Sequence, residues 1–379
     1  MRVCFIMPVL DAFKGGNHLP LLRAASQTQF TILTNRAKLA EELPPNVTVV
    51  TLGRRIGPYY YGIADRLFAR AVLRAYPSSH AFWQDFDVIH LNQTLGPSLL
   101  VLKETGRPLL YALHHPVTAD RDVAVRETSG FERLRWRLRY APLISAQRKL
   151  CRGADHLMVV SETIAARAHA EYGVPPERIS VVPNGVDGAV FPLAAGGEDF
   201  DVIAMGSLLH PRKGFKYLLE TYRFLAAKGC RIADVGRRSD EQRALLAQIS
   251  GVRAFGTVKQ EELLSLLGRS KTLVSASLYE GFGLSLIEAL ACGKPAFAFA
   301  GGAVEEVLTP VDSSLVVPVR DTQALAARIL AFVALPAAER HARAAAYRAK
   351  VLELYSLSRS AEVLQAVYFK QSHPPSVAR

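Results

Sequence analysis

Glu280 and Glu288 stand with seven residues between them, in the stretch Ser277-Leu278-Tyr279-Glu280-Gly281-Phe282-Gly283-Leu284-Ser285-Leu286-Ile287-Glu288. An apolar run, Thr272 to Ala276, leads into it and reads as a buried strand. Leu284, Ile287, Leu290 and Ala291 then recur at helical spacing. The stretch is therefore strand, glycine loop, helix. The first turn of such a helix has backbone N–H groups without partners, and the helix dipole favours an anion there. Gly281 and Gly283 let a phosphate or a sugar come close to the backbone. Carboxylates repel the anion but accept hydrogen bonds from sugar hydroxyls. A ligand that joins phosphate to hydroxyls, as a nucleotide sugar does, would use both. An ordinary βα unit with Glu288 solvated on its helix accounts for these residue types equally well.

Three other groups carry chemistry. Lys14-Gly15-Gly16-Asn17-His18 follows the first apolar run, and a glycine pair opening a helix can admit a diphosphate to backbone N–H groups. Gly206-Ser207-Leu208-Leu209-His210-Pro211-Arg212-Lys213-Gly214 places Arg212 and Lys213 just before a helical pattern. There they could neutralise a leaving diphosphate, whose charge grows as its bond breaks; a solvated loop pair is the plainer reading. His114-His115-Pro116 closes the run Leu109–Leu113 and is either a sugar-binding pair or a structural one. His90, ending another run, reads as structural.

The elements that must position these groups are legible as alternation. Apolar β-rich runs fall at 3–7, 30–33, 47–50, 88–91, 109–113, 156–160 and 179–182, then at 201–205, 231–235, 252–255, 272–276, 296–299 and 315–317. Helical patterns separate them. Near-continuous apolar strands between helices mean parallel sheets covered on both faces. The chain's 379 residues suffice for two domains at ~100–200 residues each. Pro183-Asn184-Gly185-Val186-Asp187 and Phe191-Pro192-Leu193-Ala194-Ala195-Gly196-Gly197 mark the junction. Domains are expected at 1–188 and 198–355, with 356–379 as a terminal helix and frayed tail. Ligands of such sheets bind outside the carboxyl ends of the strands.

Composition narrows the partners. The formal net charge is +12, which favours anions: nucleic acid, an acidic membrane surface or phosphorylated ligands. No zinc-finger or RRM signature occurs, so nucleic acid is not expected. No apolar run approaches the ~20 residues of a membrane span. The first residues read as a strand, not a signal peptide, and the four cysteines (Cys4, Cys151, Cys230, Cys292) show no metal spacing. A reducing, cytoplasmic setting fits this. Two segments mix arginine with aromatic and apolar residues. Arg54-Arg55 precede Tyr59-Tyr60-Tyr61 and then Arg66, Arg70 and Arg74; Arg133-Leu134-Arg135-Trp136-Arg137-Leu138-Arg139-Tyr140 alternates. The second fits a strand by alternation, but Phe131, Leu134, Leu138 and Ala141 also fit one helix face, and its flank favours helix. Either segment suits anionic headgroups at the inner face of a membrane, or packs its apolar face on its domain with snorkelling arginines.

Taken in order, the motifs resemble the GT-B glycosyltransferase family 4, the group-1 glycosyltransferases that retain anomeric configuration. The resemblance runs from Gly15-Gly16 to the C-terminal helix and is strongest over Val181–Val307. It is carried by Glu280 and Glu288 with Glu280-Gly281-Phe282-Gly283-Leu284 between them, by Ala289-Leu290-Ala291-Cys292-Gly293-Lys294-Pro295, by Gly301-Gly302-Ala303-Val304-Glu305-Glu306-Val307, and by Val182-Pro183-Asn184-Gly185-Val186-Asp187 at the junction.

The resemblance implies an α/β fold of two doubly wound Rossmann-like domains facing across a cleft, with the C-terminal helix returning to the N-terminal domain. It implies that Gly15 and Gly16 meet a diphosphate, that His114 touches the donor sugar, and that Lys213 with Arg212 binds the diphosphate. Glu280 would hold sugar hydroxyls, beside Gly281 and the amides of Phe282, Gly283 and Leu284; Glu288 would hold the ribose. The catalytic set is then His114, Lys213 and Glu280. Asn17, His18, His115 and Asp120 are expected around the acceptor. Ser207 departs from the arginine usual after that strand's glycine, and Gly236-Arg237-Arg238 lacks a second glycine common there. The implied reaction moves a hexosyl unit from a UDP or GDP sugar to an acceptor hydroxyl of a lipid-linked, glycan or small molecule. It needs no metal and no cofactor beyond the co-substrate. A non-catalytic nucleotide-sugar- or glycan-binding protein and a nucleotide-sugar epimerase are the alternatives. A phosphorylase lacks its pyridoxal lysine or phosphate site, and a dehydrogenase lacks Gly-x-Gly-x-x-Gly after the first strand.

Overall fold

The structure is a computed structural model that describes residues 1–11, 18–38, 42–56, 62–92, 94–193 and 197–373. Gly15, Gly16 and Asn17, and Tyr59-Tyr60-Tyr61, lie outside the described residues. By contacts the chain forms two compact units. The first comprises Met1–Arg121, Ser129–Gly185 and Leu357–Arg379; the second comprises Asp122–Thr128 and Val186–Ser356. The sequence reading places Asp122–Thr128 in the first domain, whereas its contacts group it with the second.

The first unit is built on seven parallel strands: β1 (Arg2–Asp11), β2 (Gln29–Lys38), β3 (Val47–Thr51), β4 (Val88–Asn92), β5 (Leu109–Leu113), β6 (His156–Val159) and β7 (Ile179–Val181). Their order is β3-β2-β1-β4-β5-β6-β7. All residues of β4, β5 and β6 are buried, as a strand covered on both faces requires. The helices are α1 (His18–Ala24), α2 (Ile63–Ala75), α3 (Val117–Glu127), α4 (Gly130–Gly153) and α5 (Glu162–Tyr172), with α3 ending in the segment that belongs to the second unit.

The second unit has six parallel strands: β8 (Phe200–Met205), β9 (Ile232–Val235), β10 (Val252–Gly256), β11 (Ser270–Ser275), β12 (Ala296–Phe299) and β13 (Val316–Val317). Their order is β10-β9-β8-β11-β12-β13. Its helices are α6 (Phe215–Ala227), α7 (Asp240–Ala247), α8 (Gln260–Gly268), α9 (Leu284–Ala291), α10 (Val304–Leu308), α11 (Thr322–Val333) and α12 (Ala337–Tyr355). The last helix, α13 (Leu357–Ser372), belongs to the first unit, where Ala361, Leu364, Val367 and Tyr368 join the core of β1 and β2.

Strand order reverses between β1 and β4 in the first sheet and between β8 and β11 in the second. These are the topological switch points, where a crevice opens outside the strand ends. Asn92 ends β4 at the first of these points and His114 follows the adjacent β5, while Ser207 and Glu280, read as functional, follow β8 and β11 at the second.

The alternating segment 131–141 is helical, within α4. Its packed face is not the one the apolar spacing picks out. Trp136, Tyr140 and Ile144 are buried, whereas Phe131, Leu134 and Leu138 are 81 %, 51 % and 64 % exposed. Aromatic rings cover the domain, and the regular leucine ridge faces outward. Among the described residues no single helix is long and apolar enough to cross a membrane.

Candidate functional site

The loop from β11 to α9 is held from two sides. Leu278 N–H donates to Arg212 C=O at 2.7 Å. On the other side Glu280 N–H donates to Gly301 C=O at 3.1 Å, and Ala303 N–H donates to Glu280 C=O at 2.9 Å. These approaches need glycine. A Cβ on Gly214 would lie 1.9 Å from Ala276 O, and one on Gly302 would lie 2.2 Å from Glu280 O. Phe282, between the two loop glycines, is buried, with its ring edge-on to Tyr355 at 5.4 Å. Its side chain anchors the turn. Gly283 caps α9 with φ of 95°, and no side chain caps that helix. Leu286 N–H turns back to Gly283 C=O at 2.9 Å, so within the first turn the amides of Leu284 and Ser285 are the ones left for another acceptor.

Lys213 and Arg212 sit on a 3-10 turn, Pro211–Lys213, capped by His210 Nδ1, which accepts from Arg212 N–H at 3.1 Å. Both cations reach Glu280. Lys213 Nζ lies 2.5 Å from Oε1, and Arg212 Nη1 lies 3.2 Å from Oε2 and donates also to Tyr279 C=O. Burial alone would raise the Glu280 carboxyl, but Lys213 and then Arg212 outweigh it and hold it down at about 2. Ser277 adds a hydrogen bond. Two cations against one carboxylate leave positive charge beside an uncapped helix N-terminus, the electrostatics a diphosphate needs. Glu288 has no ion-pair partner among the described residues, and burial pushes its carboxyl up to about 7.

The two departures noted in the sequence meet in space. Ser207 is exposed at the end of β8. Arg238, at the place of the second glycine, is buried and folds back: Nη1 donates to Gly206 C=O at 2.6 Å and Nη2 to Asp234 Oδ2 at 2.9 Å. Tyr222 O–H donates to the same Asp234 oxygen at 3.0 Å. The guanidinium thus braces the glycine turn before Ser207. Leu208 N–H donates to Arg237 C=O, which sets a second, exposed arginine beside that turn.

In the first unit, His114 Nε2 lies 2.9 Å from Asn92 Oδ1. An amide oxygen only accepts, so Nε2 carries the proton and Nδ1 is left as the ring's acceptor. The His18 ring stands edge-on to His114 at 5.6 Å. Burial, then His18 and His115, push the His114 imidazole down to about 3, so it is neutral. His115 Nε2 lies 3.1 Å from Asp120 Oδ2. Gln147 fixes the loop between them by donating to His115 C=O and accepting from Val117 N–H. His90 is buried against Tyr368, with Nδ1 2.5 Å from the phenol oxygen, in keeping with a structural role.

The structure therefore groups His18, His114, His115 and Asp120 in one unit, and Arg212, Lys213, Glu280 and the loop Gly281–Leu284 in the other. Asn92 and Ser277 escape sequence reasoning. The one available signal for Asn92 is that it ends a strand adjacent to the one His114 follows. Among the described residues no group of three or more His, Cys, Asp or Glu side chains is placed to hold a metal ion.

Comparison with known proteins gives two family matches. Residues 22–189 match the profile described as Glycosyltransferase Family 4, and residues 199–334 match the one described as Glycosyl transferases group 1. The MMP alpha-(1->4)-mannosyltransferase of Mycolicibacterium hassiacum is 33 % identical over 232 residues, covering 60 % of this chain and 56 % of that protein. A phosphatidyl-myo-inositol mannosyltransferase of Propionibacterium freudenreichii is 32 % identical over 237 residues, with the same two coverages. The matched region thus spans a little over half the length of these relatives. Among solved structures, sucrose-phosphate synthase from Thermosynechococcus elongatus superposes with a TM-score of 0.77 at 21 % identity, covering 97 % of this chain and 98 % of that one. Anabaena HepE, solved with UDP and glucose, gives 0.68 at 18 % identity, covering 96 % and 98 %. At these identities the structural likeness establishes the fold.

Proposed function

Since the chain belongs to the group-1 glycosyltransferases of family 4, we propose that it moves a hexosyl unit from a nucleoside-diphosphate sugar to an acceptor hydroxyl, with retention and without a metal. The observation that carries this reading is the Glu280–Lys213–Arg212 cluster beside the uncapped start of α9. On diphosphate binding, Lys213 and Arg212 turn part of their charge from Glu280 to the phosphates. Glu280 is thereby released to accept from sugar hydroxyls, and Glu288 accepts from the ribose diol. The bond from the anomeric carbon to the phosphate oxygen breaks, and a bond from the acceptor oxygen forms on the same face. The acceptor proton passes to the departing phosphate. Catalysis is then positioning plus stabilisation of the leaving group's charge. Neutral His114, fixed by Asn92, is assigned to a sugar hydroxyl.

Two matched relatives are named mannosyltransferases and one structural neighbour was solved with UDP. Mannosyl and glucosyl donors on GDP and UDP are therefore the first to try. The experiment is thermal stabilisation across UDP, GDP, ADP and TDP and their sugars, because a ligand at 100 times its Kd adds about 2.7 kcal/mol. The best donor is then assayed for hydrolysis and transfer with chelator present. Lys213→Ala should bind that donor but lose on the order of 100-fold in turnover, as loss of one oxyanion donor does elsewhere. Specific binding without turnover on any donor, or wild-type turnover in Lys213→Ala, would overturn the reading.

A further inference from the structure

We propose that the outward ridge of α4 is the face by which this protein lies on an anionic lipid surface. Phe131, Leu134 and Leu138 fall at i, i+3 and i+7, so at 3.6 residues per turn they form one line along the helix. All three are among the most exposed large apolar side chains of the described residues. The opposite face, Trp136, Tyr140 and Ile144, is buried, so the ridge is not a packing surface of its own unit. On the same wheel Arg135 and Arg139 flank the ridge on one side and Arg137 on the other, Arg133 lies farther round near the start of the helix, and all four are exposed. Glu132 is the one acidic residue of residues 131–139.

That arrangement selects the occupant. A second copy meeting the ridge about a two-fold axis would bring arginine against arginine. An anionic bilayer answers both features: headgroup phosphates take the guanidinium groups while the three apolar side chains enter the acyl boundary. The neighbouring α2 adds charge of the same sign. It starts against α4, where a Cβ on Gly62 would lie 2.9 Å from Leu143 Cδ2. Arg66, Arg70 and Arg74 are exposed on it, with Ile63 and Leu67. Charge attraction and apolar insertion are separate contributions, so they can be removed separately.

The test is co-sedimentation of the full chain with phosphatidylcholine vesicles carrying about a third phosphatidylglycerol, against pure phosphatidylcholine, over a salt series. Binding should require the anionic lipid and weaken at least tenfold from low to high salt. The variant Phe131→Ser/Leu134→Ser/Leu138→Ser should unfold at the wild-type temperature, since these side chains are exposed, yet bind at least tenfold less. Arg133→Gln/Arg135→Gln/Arg137→Gln/Arg139→Gln should lose the salt dependence. Failure to bind anionic vesicles, equal binding to neutral ones, unchanged binding of the serine variant, or a dimer in sedimentation that this variant abolishes would each overturn the proposal. The readout uses no sugar donor, so it stands or falls apart from the transfer reaction.

Discussion

At the scale of single residues, the two glutamates that look alike in the sequence are shifted in opposite directions. Glu280 is held at about 2 by two cations, whereas Glu288, buried without one, is raised to about 7. The raised carboxyl has a definite sign in stability. Between its unfolded value, 4.5, and about 7 the folded chain holds a proton that the unfolded chain has lost, so this group's contribution falls as pH rises through that window. The loss is complete above about 7 and amounts to roughly 3 kcal/mol at most, less for partial solvation. Glu288→Gln should therefore melt above wild type at pH 8 by several degrees and converge with it near pH 4. A ribose diol donates best to the ionised carboxylate. Stabilisation of the wild type by its nucleotide should consequently grow from pH 6 to pH 8, and that growth should vanish in the glutamine variant. A melting difference that does not change with pH would mean that Glu288 titrates normally. The two glutamates could be picked out in the sequence by spacing, but their states could not. The cations that separate them come from a loop 67 residues away in the chain.

At the scale of elements, the decisive device is a loop clamped between two others. Gly301 and Gly302 approach Leu278 and Glu280 so closely that a Cβ on Gly301 would lie 2.6 Å from Leu278 O, a backbone atom that no rotamer can move. Gly301→Ala must push the β11–α9 loop aside. The expected cost is about 1–3 kcal/mol of stability, the usual range for overpacking. Donor binding should weaken with it, because Glu280 moves off Lys213 and Arg212. Gly53→Ala is the matched control: it suffers a left-handed φ of 61° with nothing within 4 Å, so it should cost stability and leave donor binding alone. Equal effects on binding would show that the clamp does not set the site. Strands were the readable elements, because burial on both faces writes them as unbroken apolar runs such as Leu109–Leu113 and Ala296–Phe299. Gly301-Gly302 was visible only as a matching motif, since what it touches lies on another loop. For a related reason the sequence leaves open whether the apolar ridge of α4 packs on its domain or meets a lipid surface. Apolar spacing marks a ridge but cannot say whether protein covers it, and Trp136 and Tyr140 packed instead. Arg238 reads as a missing glycine, yet its guanidinium reaches Gly206 C=O and braces the turn.

At the scale of the molecule, the end of the chain completes the core of its beginning. Helix α13 places Tyr368 at 0 % exposure among Phe30, β1 and β4, with Leu364 and Val367 beside it. Deleting a buried Leu or aromatic side chain costs about 2–5 kcal/mol each, and a whole domain's margin is about 5–15 kcal/mol. Losing the helix therefore removes enough to unfold the first unit. A chain ending at Ser356 should lose amide protection across β1, β4 and β5 and keep it across β8, β11 and β12, as hydrogen exchange by mass spectrometry would resolve. Tyr368→Phe separates the polar part from the packing. It keeps the ring and removes only the phenol that meets His90 Nδ1, leaving a buried imidazole nitrogen unpaired at a cost of about 1–3 kcal/mol. That variant should stay folded with a lower melting temperature. If the truncated chain kept full protection in β1 and β4, α13 would be an accessory on an already complete core. The burial of Tyr368 would then follow from the fold without helping to hold it.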